Sequence, residues 1–131
     1  MTNAAEDSLY ETGTAIRREV MGSAHVDRSL AAATEFSEAI QRWVTAFGWG
    51  TTWSRPGLER KTRSLITIAM LTALNRMQEL RGHVRGAVNN GCTPDEIREV
   101  LLQSAVYCGA PAALEAFRNA DAVLQELAGE A

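Results

Sequence analysis

The sequence is poor in everything that would brace or cross-link a chain. It has two cysteines, Cys92 and Cys108, with fifteen residues between them and no CxxC. Without an export signal these are most simply free thiols rather than a disulfide. Only three prolines interrupt it, aromatics make up 6%, and no stretch alternates β-branched and polar residues, which leaves a sheet without a source. The longest near-apolar run, Leu65 to Leu74, is about half the ~20 residues a bilayer span needs. Met1 to Asp7 lacks the basic start and apolar run of a signal peptide. Charge of one sign is also missing: the net value is −3 and the charges are interspersed. That excludes the basic footprint of a nucleic-acid binder and the like-charge block of a tail or membrane patch. The expectation is a cytoplasmic chain whose 131 residues make one domain.

What is present is helical periodicity. Leu9 to Met21 predicts a first helix, with Ile16 and Val20 at i,i+4 and Gly22 closing it. Ser23 to Ser29, with His25 inside it, reads as a polar turn. Leu30 to Phe47 predicts a second helix, because Phe36, Ile40, Trp43, Val44 and Phe47 keep one apolar face. Gly48 to Gly57 reads as a loop carrying Trp49, Trp53 and Arg55. Leu58 to Arg76 predicts a third helix that turns apolar nearly all round from Leu65 to Leu74, which implies a central, buried position. Thr93-Pro94-Asp95-Glu96 is a helix start with N-cap, proline in the first turn and capping box. Gly109 stops that helix and Pro111 opens a last one. The fold class expected is all-α, a bundle of about six helices.

Between these lies the stretch the rest is arranged around, Glu79 to Gly91. At about 100° per residue, Leu80, Val84, Ala87 and Val88 share one buried face. Glu79, His83, Gly86 and Asn90 gather on one flank, and Arg81 and Arg85 lie on the opposite shoulder. A carboxylate and an imidazole at i,i+4 therefore sit together at the border of the apolar stripe, where a helix can line a pocket. Gly91 stands where a left-handed helix end wants glycine. A glutamate and a histidine so spaced are more often a solvated pair than a site. The tryptophans would more often serve a core or a subunit contact than a pocket wall.

Several motifs in order carry a resemblance: Gly22-Ser23-Ala24-His25-Val26-Asp27-Arg28-Ser29, Trp53-Ser54-Arg55-Pro56-Gly57-Leu58, Arg63-Ser64-Leu65, Glu79-Leu80, His83 to Gly91, Thr93 to Ile97, and Tyr107-Cys108-Gly109-Ala110-Pro111. Together they resemble the carboxymuconolactone decarboxylase family, part of an alkylhydroperoxidase D-like superfamily. That resemblance implies an all-α alkylhydroperoxidase D-like fold and a homo-oligomer, usually a hexamer. It also implies cofactor-free decarboxylation of 4-carboxymuconolactone to the β-ketoadipate enol-lactone in protocatechuate catabolism. In the redox branch of the superfamily a CxxC is followed by three residues and then the histidine. Here Arg76 and Glu79 hold those two positions, and disulfide exchange needs two adjacent thiols.

The lactone is its own electron sink, so neither an organic cofactor nor a metal is needed. With the resemblance in hand, His83 is the expected acid or enolate partner and Glu79 its orienting group or proton carrier. Arg55 is the expected carboxylate anchor, with Arg85 the alternative. Trp49 and Trp53 are candidate apolar walls and His25 a candidate substrate contact. The rival readings are a thiol peroxidase, a non-catalytic oligomeric small-molecule-binding module, and a metal site of Glu79, His83 and His25, whose third member lacks a recognised ligand spacing.

Overall fold

The structure is a computed structural model that describes residues 3–130. Among those residues it is helical throughout and contains no strand. The chain divides into two compact units, Met1–Leu58 and Glu59–Ala131.

In the first unit, α1 (Ala4–Met21) starts at Asn3, whose side chain accepts from the Glu6 N–H. Gly22, at φ +89°, turns the chain directly into α2 (Ser23–Ala31). The stretch expected as a polar turn is therefore a helix carrying His25. Its Val26 is 1% exposed and packs with Ile16, Val20, Met21 and Trp49. One buried side chain outweighs a locally polar composition.

The expected helix Leu30–Phe47 is interrupted. Thr34 and Ser37 exchange backbone and side-chain hydrogen bonds at 2.8 and 3.3 Å, and the Glu38 N–H bonds the Thr34 carbonyl at 2.9 Å. Short hydroxyl side chains offer the backbone an alternative to the helix ladder, and α3 (Glu38–Trp43) begins afresh after them. The expected loop at Gly48 is likewise corrected. From Val44 to Thr52 the chain continues as a π-helical segment; the Trp53 N–H, for example, reaches the Gly48 carbonyl five residues back at 3.1 Å. The apolar face of Phe36, Ile40, Trp43 and Phe47 lies on the surface of the chain, Phe36 at 95% exposure.

The second unit holds α4 (Arg60–Ala73), α5 (Met77–Asn89), α6 (Pro94–Cys108) and α7 (Ala110–Glu130). α5 and α6 each pack on both α4 and α7, and α4 and α7 also touch directly. Asn75, at φ +58°, makes the tight link from α4 to α5, a conformation asparagine tolerates. Gly91 ends α5 at φ +91°, as its position predicts. The capping box at Thr93 and Glu96 is present in full. The core is Ile68, Leu80, Val84, Ala87, Ile97, Leu101, Ala116, Ala120 and Val123. The all-round apolar stretch of α4 is not central within the chain. Ile68 is fully buried, whereas Ile66, Met70 and Leu74 form an outer stripe, Met70 at 59% exposure.

Candidate functional site

Of the candidate residues, His25, Trp49, Trp53 and Arg55 belong to the first unit and Glu79, His83 and Arg85 to the second. Leu80, Val84 and Ala87 of α5 are fully buried and fix the helix's rotation about its axis. Glu79 and His83 then stand on successive turns of one flank. Glu79 is exposed, and His83 is half-buried with Nδ1 shielded from solvent.

The same flank is tied down at its far end. Asn90 Nδ2 donates to Ser64 Oγ at 2.9 Å and to the Arg60 carbonyl at 3.4 Å. Asn90 is therefore a bridge from α5 to α4, beyond the helix-end role its position suggests. The opposite shoulder faces α7. Arg81 Nε donates to Asn119 Oδ1 at 2.6 Å, and Arg85 pairs with Glu126 at 3.4 Å and Glu130 at 3.3 Å. Two carboxylates already occupy the Arg85 guanidinium, which leaves it poorly suited to the anchoring role.

In the first unit, Trp49 and Trp53 are stacked, with ring centroids 4.7 Å apart and planes 25° from parallel. Trp49 is buried and Trp53 half-buried. A π-helical segment and the residue that caps it therefore present the pair that the sequence places in a loop, and such segments are frequent at functional sites. Arg55 follows in a turn, its N–H on the Thr52 carbonyl at 3.1 Å, and is exposed. His25 is half-buried on α2.

Other side chains line three surface grooves: Tyr10, Thr34 and Arg42 in the first unit; Ile97, Phe117 and Leu124, and separately Leu65, Val100 and Tyr107, in the second.

The Cys92 thiol is not poised for redox work. Cys92 is buried with Sγ on the Lys61 carbonyl at 3.5 Å, and burial, then the Glu96 charge, pushes its thiol pKa up; a reactive thiol needs the opposite shift. Cys108 is exposed at the end of α6. Among the described residues no group of three or more His, Cys, Asp or Glu is placed to hold a metal ion.

Sequence reasoning missed Arg17, Gly13 and Gly50. Arg17 is 8% exposed, and its Nη1 donates to Gln41 Oε1 and Thr45 Oγ1, each at 3.1 Å. The only sequence signal was the i,i+4,i+8 line Leu9, Gly13, Arg17 on α1. It stands out only once the partner helix is known.

Residues 38–122 match the Carboxymuconolactone decarboxylase family, and the chain belongs to that family. It is 45% identical over 122 residues to the 4-carboxymuconolactone decarboxylase of Acinetobacter baylyi, covering 93% of this chain and 91% of that protein. It is 46% identical over 108 residues to the nitrosuccinic acid decarboxylase of Metarhizium robertsii, covering 82% and 76%. An uncharacterized 15.0 kDa protein of Paracoccus denitrificans is 39% identical over 92 residues, covering 69% and 65%.

Proposed function

We propose that this chain is a carboxy-lyase that removes CO₂ from 4-carboxymuconolactone without a cofactor, giving the β-ketoadipate enol-lactone of protocatechuate catabolism. The observation that carries this reading is the 45% identity to a 4-carboxymuconolactone decarboxylase over 93% of the chain. The chain acts as one domain in the cytoplasm; the family match, residues 38–122, runs through the boundary between the two compact units.

The substrate is a five-membered unsaturated lactone. It carries one carboxylate on the ring carbon beside the ring oxygen and a second on an acetate arm. Cleavage of the ring carbon–carboxylate bond releases CO₂ and sends its electron pair through the ring double bond onto the lactone carbonyl oxygen. The resulting enolate takes a proton at the carbon next to the carbonyl.

His83, half-buried, is the group proposed to meet the enolate and deliver that proton, while Glu79, open to water, restores it from solvent. Donation to the developing oxyanion is worth about 2.7–4 kcal/mol. Arg55 holds the acetate arm, because a guanidinium on the departing carboxylate would stabilise the ground state and slow its loss. The Trp49–Trp53 stack gives that departing group an apolar wall, and His25 supplies a further polar contact. Arg55→Ala should therefore raise KM by about tenfold or more before kcat falls appreciably. Steady-state kinetics check this, and a collapse of kcat at unchanged KM would rule the assignment out.

A second substrate reading has its own support in the 46% identity to a nitrosuccinic acid decarboxylase. A nitro group on the carbon that loses CO₂ accepts the electron pair as a nitronate, as the lactone carbonyl accepts it as an enolate. Offering purified protein each acid in turn and measuring CO₂ tests both. Release from 4-carboxymuconolactone with formation of the enol-lactone is expected, and its absence would overturn the leading reading.

The chain works as a homo-oligomer, a hexamer by family resemblance. Two outer apolar stripes support this, Phe36–Ile40–Trp43–Phe47 in the first unit and Ile66–Met70–Leu74 in the second, with Val106 and Tyr107 of α6 also outward. Contiguous exposed apolar surface of this kind marks an interaction face, and closed symmetric assembly is the common way to cover it. Met70→Asp should lower the mass measured by light scattering to that of a smaller species; an unchanged mass removes the α4 stripe from the interface.

A further inference from the structure

Three residues of α1, Leu9, Gly13 and Arg17, stand one helical turn apart on a single line, and all three meet the chain that leads into and through the π-helical segment. A Cβ built on Gly50 would lie 2.2 Å from the Leu9 carbonyl oxygen, and one built on Gly13 would lie 1.9 Å from the Thr45 carbonyl oxygen. Arg17 completes the line with its paired hydrogen bonds to Gln41 Oε1 and Thr45 Oγ1. Contacts thus run from Gly50 through Thr45 to Gln41 as α1 runs from Leu9 to Arg17, so the two pieces are antiparallel. The glycines let the backbones touch, and the guanidinium sets where along the contact they stop.

The chemistry at Arg17 is unusual for a purely structural residue. Its guanidinium keeps its charge, yet the oxygens it donates to are neutral, and burial lowers its pKa. A buried cation is weak evidence for stability and is better attested as a device that fixes one arrangement. The arrangement it meets needs fixing. A π-helical stretch is rare and is frequently found at functional sites. Gln41 and Thr45 are i,i+4 across the entry to that stretch at Val44. Thr45 Oγ1 spends its own proton on the Gln41 carbonyl at 2.7 Å, which leaves its lone pairs for Arg17. Trp49 lies one further turn along and stacks on Trp53.

We propose that Arg17 is a positioning residue for substrate binding: it locks the register of α1 on the π-helical segment and so sets the Trp49–Trp53 stack. The proposal rests on the reading above that this stack is a wall for substrate. Removing the lock should disorder the stack and weaken binding of the lactone, and leave the chemical step largely intact.

Two coupled indoles at 4.7 Å give an exciton couplet in circular dichroism, which reports their mutual geometry directly. Arg17→Met should lose most of the couplet, and its KM for 4-carboxymuconolactone should rise about tenfold with kcat within about threefold of wild type. Arg17→Lys, which keeps the charge and N–H donors but not the planar fork, should restore part of both. Thr45→Val removes one acceptor at nearly constant volume and should show the same pattern at smaller size; it carries the test if Arg17→Met does not fold. Folded variants that keep the wild-type couplet and KM would overturn the proposal. Wild-type protein that leaves the lactone untouched would sink the substrate reading instead, and the couplet would still decide the positioning role.

Discussion

Replacing His83 with alanine should lower kcat for CO₂ release from 4-carboxymuconolactone by about 10²–10⁴-fold, the range a placed general acid contributes. The fold should survive, since the buried stripe of α5 is Leu80, Val84 and Ala87 and His83 is only half-buried at its edge. Unchanged far-ultraviolet circular dichroism would confirm that the loss is chemical. A second substitution separates the two jobs proposed for the imidazole. His83→Gln keeps a hydrogen-bond donor but cannot exchange a proton in the same way. If donation to the enolate oxygen dominates, glutamine should recover much of the roughly 2.7–4 kcal/mol that such a donor supplies. If proton delivery dominates, it should be as slow as alanine. Glu79→Gln should cost less than either, because solvent can partly replace an exposed relay. Wild-type turnover by His83→Ala would remove the imidazole, and the proton relay through it, from the chemistry.

Gly13→Ala should destabilise the protein strongly, although helix propensity alone argues the reverse. In a helix interior alanine is favoured over glycine by about 1 kcal/mol. The added methyl at Gly13, however, would sit 1.9 Å from the Thr45 carbonyl oxygen and 2.8 Å from the Gly50 nitrogen. These are backbone atoms that no rotamer change can move. Overpacking typically costs about 1–3 kcal/mol, occasionally more, and here whole helices must separate, so the effect belongs at or above the top of that range. For a chain of this length that corresponds to a fall in Tm of the order of 10 °C. Gly50→Ala, 2.2 Å from the Leu9 carbonyl oxygen, should behave alike. Gly129 near the end of α7 meets nothing within 4 Å, so Gly129→Ala should leave Tm unchanged or slightly raised. A thermal melt of Gly13→Ala within a degree or two of wild type would show that α1 does not cross the π-helical segment this closely.

The second unit was the more legible from sequence because local rules govern it. The Thr93–Glu96 capping box, the left-handed Gly91 and the Leu80–Val84–Ala87 stripe each depend on residues within two helical turns of one another. The same rules failed in the first unit. The face through Phe36, Ile40, Trp43 and Phe47 has helical period, but period reveals only that a face is apolar and not what covers it. The stripe Ile66, Met70 and Leu74 of α4 teaches the same lesson. Arg85 shows a further limit: its shoulder position follows from the helix, whereas its engagement by Glu126 and Glu130 depends on how α7 returns.

By itself the sequence determined the helical class, most helix ends in the second unit, and the flank shared by Glu79 and His83, because capping, periodicity and backbone conformation act over a turn or two. Only the tertiary structure decided that α2 is a helix, that the tryptophans stack on a π-helical segment, and that Gly13, Gly50 and Arg17 matter. The roles of Gly13, Gly50 and Arg17 arise from contacts between residues some 24 to 41 positions apart, where close backbone approach and a buried guanidinium outweigh local preference.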